Sequence, residues 1–284
     1  MPALPSRRTL GVLALSCLAF SPAISSIASP VPTITSQPIL VIGASYADGR
    51  PPFDDSLQAP MGGMAVNFGT YLGEGDALVR QGLLVVNEAQ AGATTFDRDF
   101  CLTNFCLDVG WQGYRTQLSK ALGRVAIRNP SDPNQVLGYN ARYVYISLPN
   151  DCIHSGAAGI AQAQSSPCSQ QQVDELVDRV IDVAEDAMDA GLVPVFSRYP
   201  DYDDLNLAII AGASGLTWYV NESQWNAIAD TFEDRIADEL PGAILVDAWR
   251  HMEVLPDGLH PTPKSANKAA KRIREAIEEY EGCQ

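Results

Sequence analysis

The signatures of nucleotide and metal binding are missing from these 284 residues. No G-x-G-x-x-G or G-x-x-x-x-G-K-[ST] loop follows an apolar run, so the glycine-rich phosphate cradles have no counterpart. There is no H-E-x-x-H and no paired C-x-x-C, which leaves a zinc site without support. No cofactor and no metal are therefore expected. Basic residues are few: 19 Lys and Arg face 34 Asp and Glu, for a formal net charge of −15. That balance excludes an electrostatic grip on nucleic acid and disfavours an anionic membrane surface. No apolar run is long enough to span a bilayer, and no internal repeat is visible. Histidine occurs only as His154, His251 and His260, so a histidine general base has few candidates.

What is present is an ordinary globular mix, 46% hydrophobic and 19% charged, with ample material for a core. Arg7 and Arg8 precede an apolar run from Leu10 to Phe20 and then small residues through Ala28. That order predicts a signal peptide over 1–28, a leader over 29–37 and one domain over 38–284. The protein is expected to be secreted or periplasmic. In an oxidising compartment Cys101, Cys106, Cys152 and Cys168 become disulfide candidates. Neighbour pairing gives 101–106 and 152–168 and leaves Cys283 outside either pair.

After Gln37 the pattern alternates. Short apolar runs at Ile39–Ile42, Leu83–Val86, Tyr143–Ile146, Leu192–Phe196 and Ile244–Val246 read as strands of one parallel sheet. Apolar residues recur every three or four positions from Val173 to Met188 and from Ala266 to Tyr280, the first stripe stopped by Gly191. A third helix fits Trp225–Leu240, ended by Pro241-Gly242. Strand–helix alternation implies a three-layer α/β/α domain. Four stretches look irregular: Gly49–Gly63, Phe96–Gly110, Cys152–Pro167 and Tyr199–Asn221. Each follows a strand's carboxyl end, the edge where open α/β sheets bind ligands.

Chemistry-bearing residues fall at that edge. Ser45 follows the first run, in Ile42-Gly43-Ala44-Ser45; taken alone it would pass for a helix cap. Asp257 lies three residues before His260, close enough in a loop to orient the imidazole through Nδ1. Gly92 follows the second run and could offer a backbone N–H; Asn150 follows the third and could offer its amide. A tetrahedral oxyanion needs such donors. Gly43-Ala44-Ser45-Tyr46-Ala47 is not the G-x-S-x-G elbow. His154 reads as a loop histidine near Asn150 and His251 as structural. Tyr46, Phe53, Phe100, Phe105, Trp218 and Tyr219 fall in loops that could ring a site.

This order of blocks resembles the SGNH (GDSL-type) hydrolases. Val41 to Ser45 is similar to their first block, Asn87 to Thr94 to the second, Leu148 to Asp151 to the third and Asp257 to His260 to the fifth. The resemblance implies a flavodoxin-like five-stranded parallel sheet and a serine esterase. It makes Ser45 the nucleophile, His260 its base, Asp257 the partner, and Ser45, Gly92 and Asn150 the oxyanion hole. Two positions depart from the pattern: Ala44 stands where aspartate is usual, and Leu148 where glycine is usual. A small-molecule or carbohydrate ester is the expected substrate, short-chain or acetyl esters first. The rival expectation is a catalytically inactive carbohydrate-binding module or adhesin on the same fold. The sequence assigns no oligomeric state.

Overall fold

The computed structural model describes residues 37–48, 73–102, 105–154, 166–209 and 218–283, with the backbone alone over 98–111. The predicted signal peptide, nearly all of the leader, and the loop 49–63 with Phe53 lie outside these residues.

Four-residue runs with no charged side chain can be buried on both faces, and two of them form the centre of the molecule. Strand β1 (Ile39–Ile42) is buried throughout, as is Tyr143–Ile146. Along the chain follow α1 (Ser45–Asp48), α2 (Glu74–Arg80), β2 (Val85–Asn87), β3 (Arg98–Leu102), β4 (Phe105–Trp111) and α3 (Tyr114–Val125). Next come β5 (Ala126–Asn129), β6 (Asp132–Tyr139), β7 (Tyr143–Ile146), α4 (Gln170–Asp189), β8 (Val193–Ser197), α5 (Glu222–Glu239), β9 (Ile244–Val246) and α6 (Pro263–Gly282). The main sheet runs β2-β1-β7-β8-β9 and every pairing is parallel. Ile39 sits opposite both Val85 and Tyr143, and Val195 opposite both Tyr145 and Ile244. In chain order of the five sheet strands this is 2-1-3-4-5, the flavodoxin-like arrangement, with its switch point beside β1.

Helices cover both faces. α4 packs between α3 and α5 on one side, and α2 packs between α1 and α6 on the other. The fold is thus a three-layer α/β/α sandwich. Its helices begin where local chemistry directs. Ser169 and Gln172 close a capping box on α4, Asn221 and Gln224 another on α5, each satisfying otherwise orphaned N–H groups. Thr262 caps α6 and Pro263 follows it in the first turn. Gly191 ends the α4 segment with φ 83.

Two elements differ from the sequence expectation. The stretch Phe96–Gly110 contains β3 and β4, an antiparallel hairpin, in place of an irregular loop. Antiparallel β5 and β6 form a second hairpin that was not expected. Nearly all of β6 is exposed, so it lacks the apolar alternation that makes a half-buried strand readable.

Candidate active site

β1 ends at Gly43, and the chain turns there at once into α1. Gly43 has φ 146, and a Cβ on it would lie 2.6 Å from the Ser147 Cβ. Only glycine fits that turn. Ala44 O accepts from Ala47 N at 3.1 Å and Asp48 N at 3.0 Å, which closes α1 and sets Ser45 in its first turn. The loop after β2 is stitched to α1. Asn87 Nδ2 donates to Ala47 O at 3.1 Å, and Ala91 N donates to Asp48 Oδ2 at 2.9 Å. Gly92 lies in this loop at φ 84.

The segment after β7 is anchored by three side chains. Tyr114 Oη donates to Leu148 O at 3.1 Å and Tyr199 Oη to Pro149 O at 2.8 Å. Burial holds both phenols well above their ordinary range, so they remain donors. Asp151, next along, accepts from Thr95 N and from Thr95 Oγ1, the latter at 2.7 Å, with the Arg179 guanidinium 3.6 Å away. Burial raises the Asp151 carboxyl, against the pull of Thr95 and Arg179. Asn150 therefore projects from a backbone fixed on both sides. Its Oδ1 is buried with no hydrogen-bond partner. Cys152 is bonded to Cys168, with Cα atoms 5.4 Å apart, so this loop is stapled to the start of α4.

The Asp257–His260 loop is a tight fold between β9 and α6. His260 Nδ1 and Asp257 Oδ2 are 2.6 Å apart, and Asp257 Oδ1 accepts from Leu259 N and His260 N at 2.9 and 3.0 Å. Both residues are buried. Burial works to raise the Asp257 carboxyl, but hydrogen bonds and charge from His260, with the two backbone donors, outweigh it and hold the acid below its ordinary value. Gly258 takes φ 79, and a Cβ there would lie 2.1 Å from Asn206 O. The loop can press against Asn206 only because residue 258 has no side chain.

Tyr46 joins the serine turn to this loop. Its Oη donates to Leu259 O at 2.6 Å, and its ring lies 6.0 Å from the His260 ring and 5.3 Å, edge-on, from Trp249. A small cavity of about 30 Å³ opens beside Ser45 and Asn150, walled by Tyr46, Leu148, Ile153, Tyr199, Trp225 and Leu259, with His154 at its side. Gly92, Asp257 and His260 are not among the lining residues.

Ser45, in the first turn of α1, and Gly92, Asn150, Asp257 and His260, in loops, all follow strand ends at one edge of the sheet. His154 joins the cavity wall and bridges antiparallel to Tyr219. His251 is an exposed turn residue with φ 56. Trp218 is buried. Phe100 and Phe105 belong to the β3–β4 hairpin, where the backbone register also sets Cys101 opposite Cys106; their side chains lie outside the described residues. Sequence reasoning missed Tyr199 and Trp225, the principal aromatic walls. Trp225 looked like one more apolar helix position, and its Nε1 donates to Pro200 O at 2.9 Å. It also missed Glu74, a fully buried carboxyl beneath the serine turn. Glu74 accepts from Tyr145 Oη and from Ser147 Oγ, and burial pushes it up to about 7 against those hydrogen bonds. No helix among the described residues is long and apolar enough to cross a membrane, and no group of potential metal ligands occurs among them.

No family model and no curated protein matches this chain. In fold it is similar to solved structures. A carbohydrate acetylesterase family member from Sinorhizobium meliloti gives a TM-score of 0.53 at 14% identity, over 87% of this chain and 99% of that one. Another solved structure gives 0.55 at 15% identity, over the same shares. A GDSL-like lipase from Bacteroides thetaiotaomicron is 12% identical over 86% of this chain and 89% of its own, with a TM-score of 0.48. At these identities the likeness is one of fold. For the two structures above 0.5 it agrees with the three-layer architecture that the sequence resemblance implied.

Proposed function

We propose that this protein is a secreted serine esterase of the SGNH type, with Ser45 as nucleophile, His260 as base and Asp257 as the group that orients it. The observation that carries this reading is a convergence. Ser45 and Asn150 line one cavity, and the buried 2.6 Å Asp257–His260 pair is tied to the serine turn through Tyr46 Oη and Leu259 O. In the first step His260 takes the Ser45 hydroxyl proton as Oγ attacks the ester carbonyl carbon. The carbonyl electrons move onto oxygen, which is received by the N–H groups of Ser45 and Gly92 and the Asn150 amide. Collapse expels the alcohol, protonated by His260. Water then repeats the sequence on the acyl-enzyme and releases the acid. Asp257 stays ionised throughout and keeps the imidazole Nδ1–H directed at itself. The Cys152–Cys168 disulfide supports an extracytoplasmic location.

The cavity favours a short acyl group. Leu148, Ile153, Tyr199 and Trp225 wall it with apolar surface close to Ser45, which supports a short acyl group such as acetyl. Short-chain carboxylic esters come first as substrates and acetylated carbohydrates second; the solved relative named a carbohydrate acetylesterase family member fits the latter. Purified protein should hydrolyse p-nitrophenyl acetate faster than butyrate and should be labelled by a fluorophosphonate. Ser45→Ala and His260→Ala should remove nearly all turnover without unfolding the chain. Leu148→Gly should narrow the acetate–butyrate gap. Folded wild type that neither turns over nor labels would refute the esterase reading and favour the rival, a catalytically silent binding domain.

A further inference from the structure

A buried polar clamp on the serine turn comes from a helix with no recognisable motif. Gln117 of α3 is fully buried. Gly43 N donates to its Oε1 at 2.7 Å, and its Nε2 donates back to Gly43 O at 3.1 Å. The other Nε2 hydrogen reaches Gln112 O at 2.8 Å. Gln112 N in turn donates to Gln90 Oε1 at 2.9 Å, and Gln90 N donates to Gly43 O at 3.1 Å. One side-chain amide thus closes a two-bond ring on the N–H and C=O of a single residue, as a neighbouring strand would.

The position needs such a partner. Adjacent strands serve the residues just before it: Glu88 N donates to Val41 O and Ser147 N to Ile42 O. Gly43 has no side chain to pack, and glycine has the widest conformational freedom of any residue. Ala44, which follows, has no side-chain oxygen with which to cap the turn. Buried backbone N–H and C=O groups are paired almost without exception, and here a side chain from another element does the pairing.

We propose that Gln117 is the positioning residue of the nucleophile turn: by clamping both polar groups of Gly43 it sets the direction of the Ser45 hydroxyl and N–H two residues on. This rests on Ser45 being the nucleophile. Gln117 touches neither substrate nor reacting atoms, and its effect is one of aim. A misplacement on the order of 1 Å can cost about a hundredfold in rate.

Two substitutions in the full chain test it, each followed by thermal melting, fluorophosphonate labelling and p-nitrophenyl acetate kinetics. Gln117→Met keeps length and bulk but removes the acceptor of Gly43 N and one of the two donors to Gly43 O, leaving only Gln90 N. Its kcat and labelling rate should fall about 10- to 100-fold while KM stays within about threefold of wild type. Gln117→Glu adds a specific signature. A protonated carboxyl can accept from Gly43 N and donate to Gly43 O, whereas the ionised form can only accept. The ratio of its kcat to the wild-type kcat should therefore fall as pH rises, every other titrating group being common to both proteins. A folded Gln117→Met enzyme with wild-type kcat and labelling would overturn the proposal. Should that variant not fold, a pH-independent ratio for Gln117→Glu overturns it instead. Wild type that neither turns over nor labels removes the esterase reading and this role together; active wild type beside unimpaired variants removes this role alone.

Discussion

Glu74→Gln should abolish a specific pH dependence of stability. Glu74 is fully buried in the native state, where burial raises its carboxyl from 4.5 to about 7. Between those values the native protein holds a proton that the unfolded chain has released. Stability contributed by the neutral acid is therefore complete below about pH 4.5 and is lost as pH rises through about 7. At about 1.36 kcal/mol per tenfold change in proton affinity, that gap amounts to roughly 3 kcal/mol. Glutamine has nearly the same shape, can engage Tyr145 and Ser147, and does not titrate. Asp151, also raised, and Asp257, lowered and so opposite in sign, are present in both proteins and cancel in a difference. Urea unfolding would be followed by tryptophan fluorescence with the disulfide intact, at intervals from about pH 4.5 to about pH 8. The stability of wild type minus that of Glu74→Gln should decline by roughly 3 kcal/mol across that range. A difference that stays constant with pH would refute the reasoning, because Glu74 would then ionise alike in the folded and unfolded chains.

Three further outcomes follow from the site. Asn150→Ala should lower kcat by about 10²–10³ with KM little changed, the loss expected of one oxyanion donor; steady-state kinetics on p-nitrophenyl acetate read it directly. Asp257→Asn preserves the shape of the loop but not the charge facing His260 Nδ1, and kcat should drop by up to about 10⁴-fold while circular dichroism stays native. Cys152→Ser combined with Cys168→Ser opens a loop with a sequence separation of 16. It should cost about 3 kcal/mol in the chain-entropy account, seen as a lower urea midpoint with an unchanged main sheet.

The β1, β7 and β9 runs were legible to the residue, and β2 and β8 within one or two, because each is a short apolar run that can be buried only in a covered parallel sheet. The long helices announced themselves by periodicity and by their stops. The hairpins did not. Among the described residues β3 and β4 pair only with each other, outside the main sheet, and β6 carries Pro133 and polar residues on an exposed ladder, which is not the pattern of a strand packed on a core.

The site divides the same way. The sequence by itself determined that Ser45, Gly92, Asn150 and the Asp257–His260 pair would each follow a strand's carboxyl end, at one edge of the sheet. In a parallel α/β sheet every loop following a strand's carboxyl end emerges there, and the Asp257–His260 contact is local, spanning three residues. What only the tertiary structure decided is how those residues are held and how much room they leave. Gln117 lies 74 positions from the glycine it clamps, Tyr46 reaches a carbonyl 213 positions away, and Glu74 takes hydrogen bonds from Tyr145 of β7 and from Ser147 just after it, more than 70 residues on. Tyr199 and Trp225 wall the cavity from separate elements. Contacts of that separation have no local pattern, since their partners are chosen by the packing of whole layers and not by neighbours along the chain.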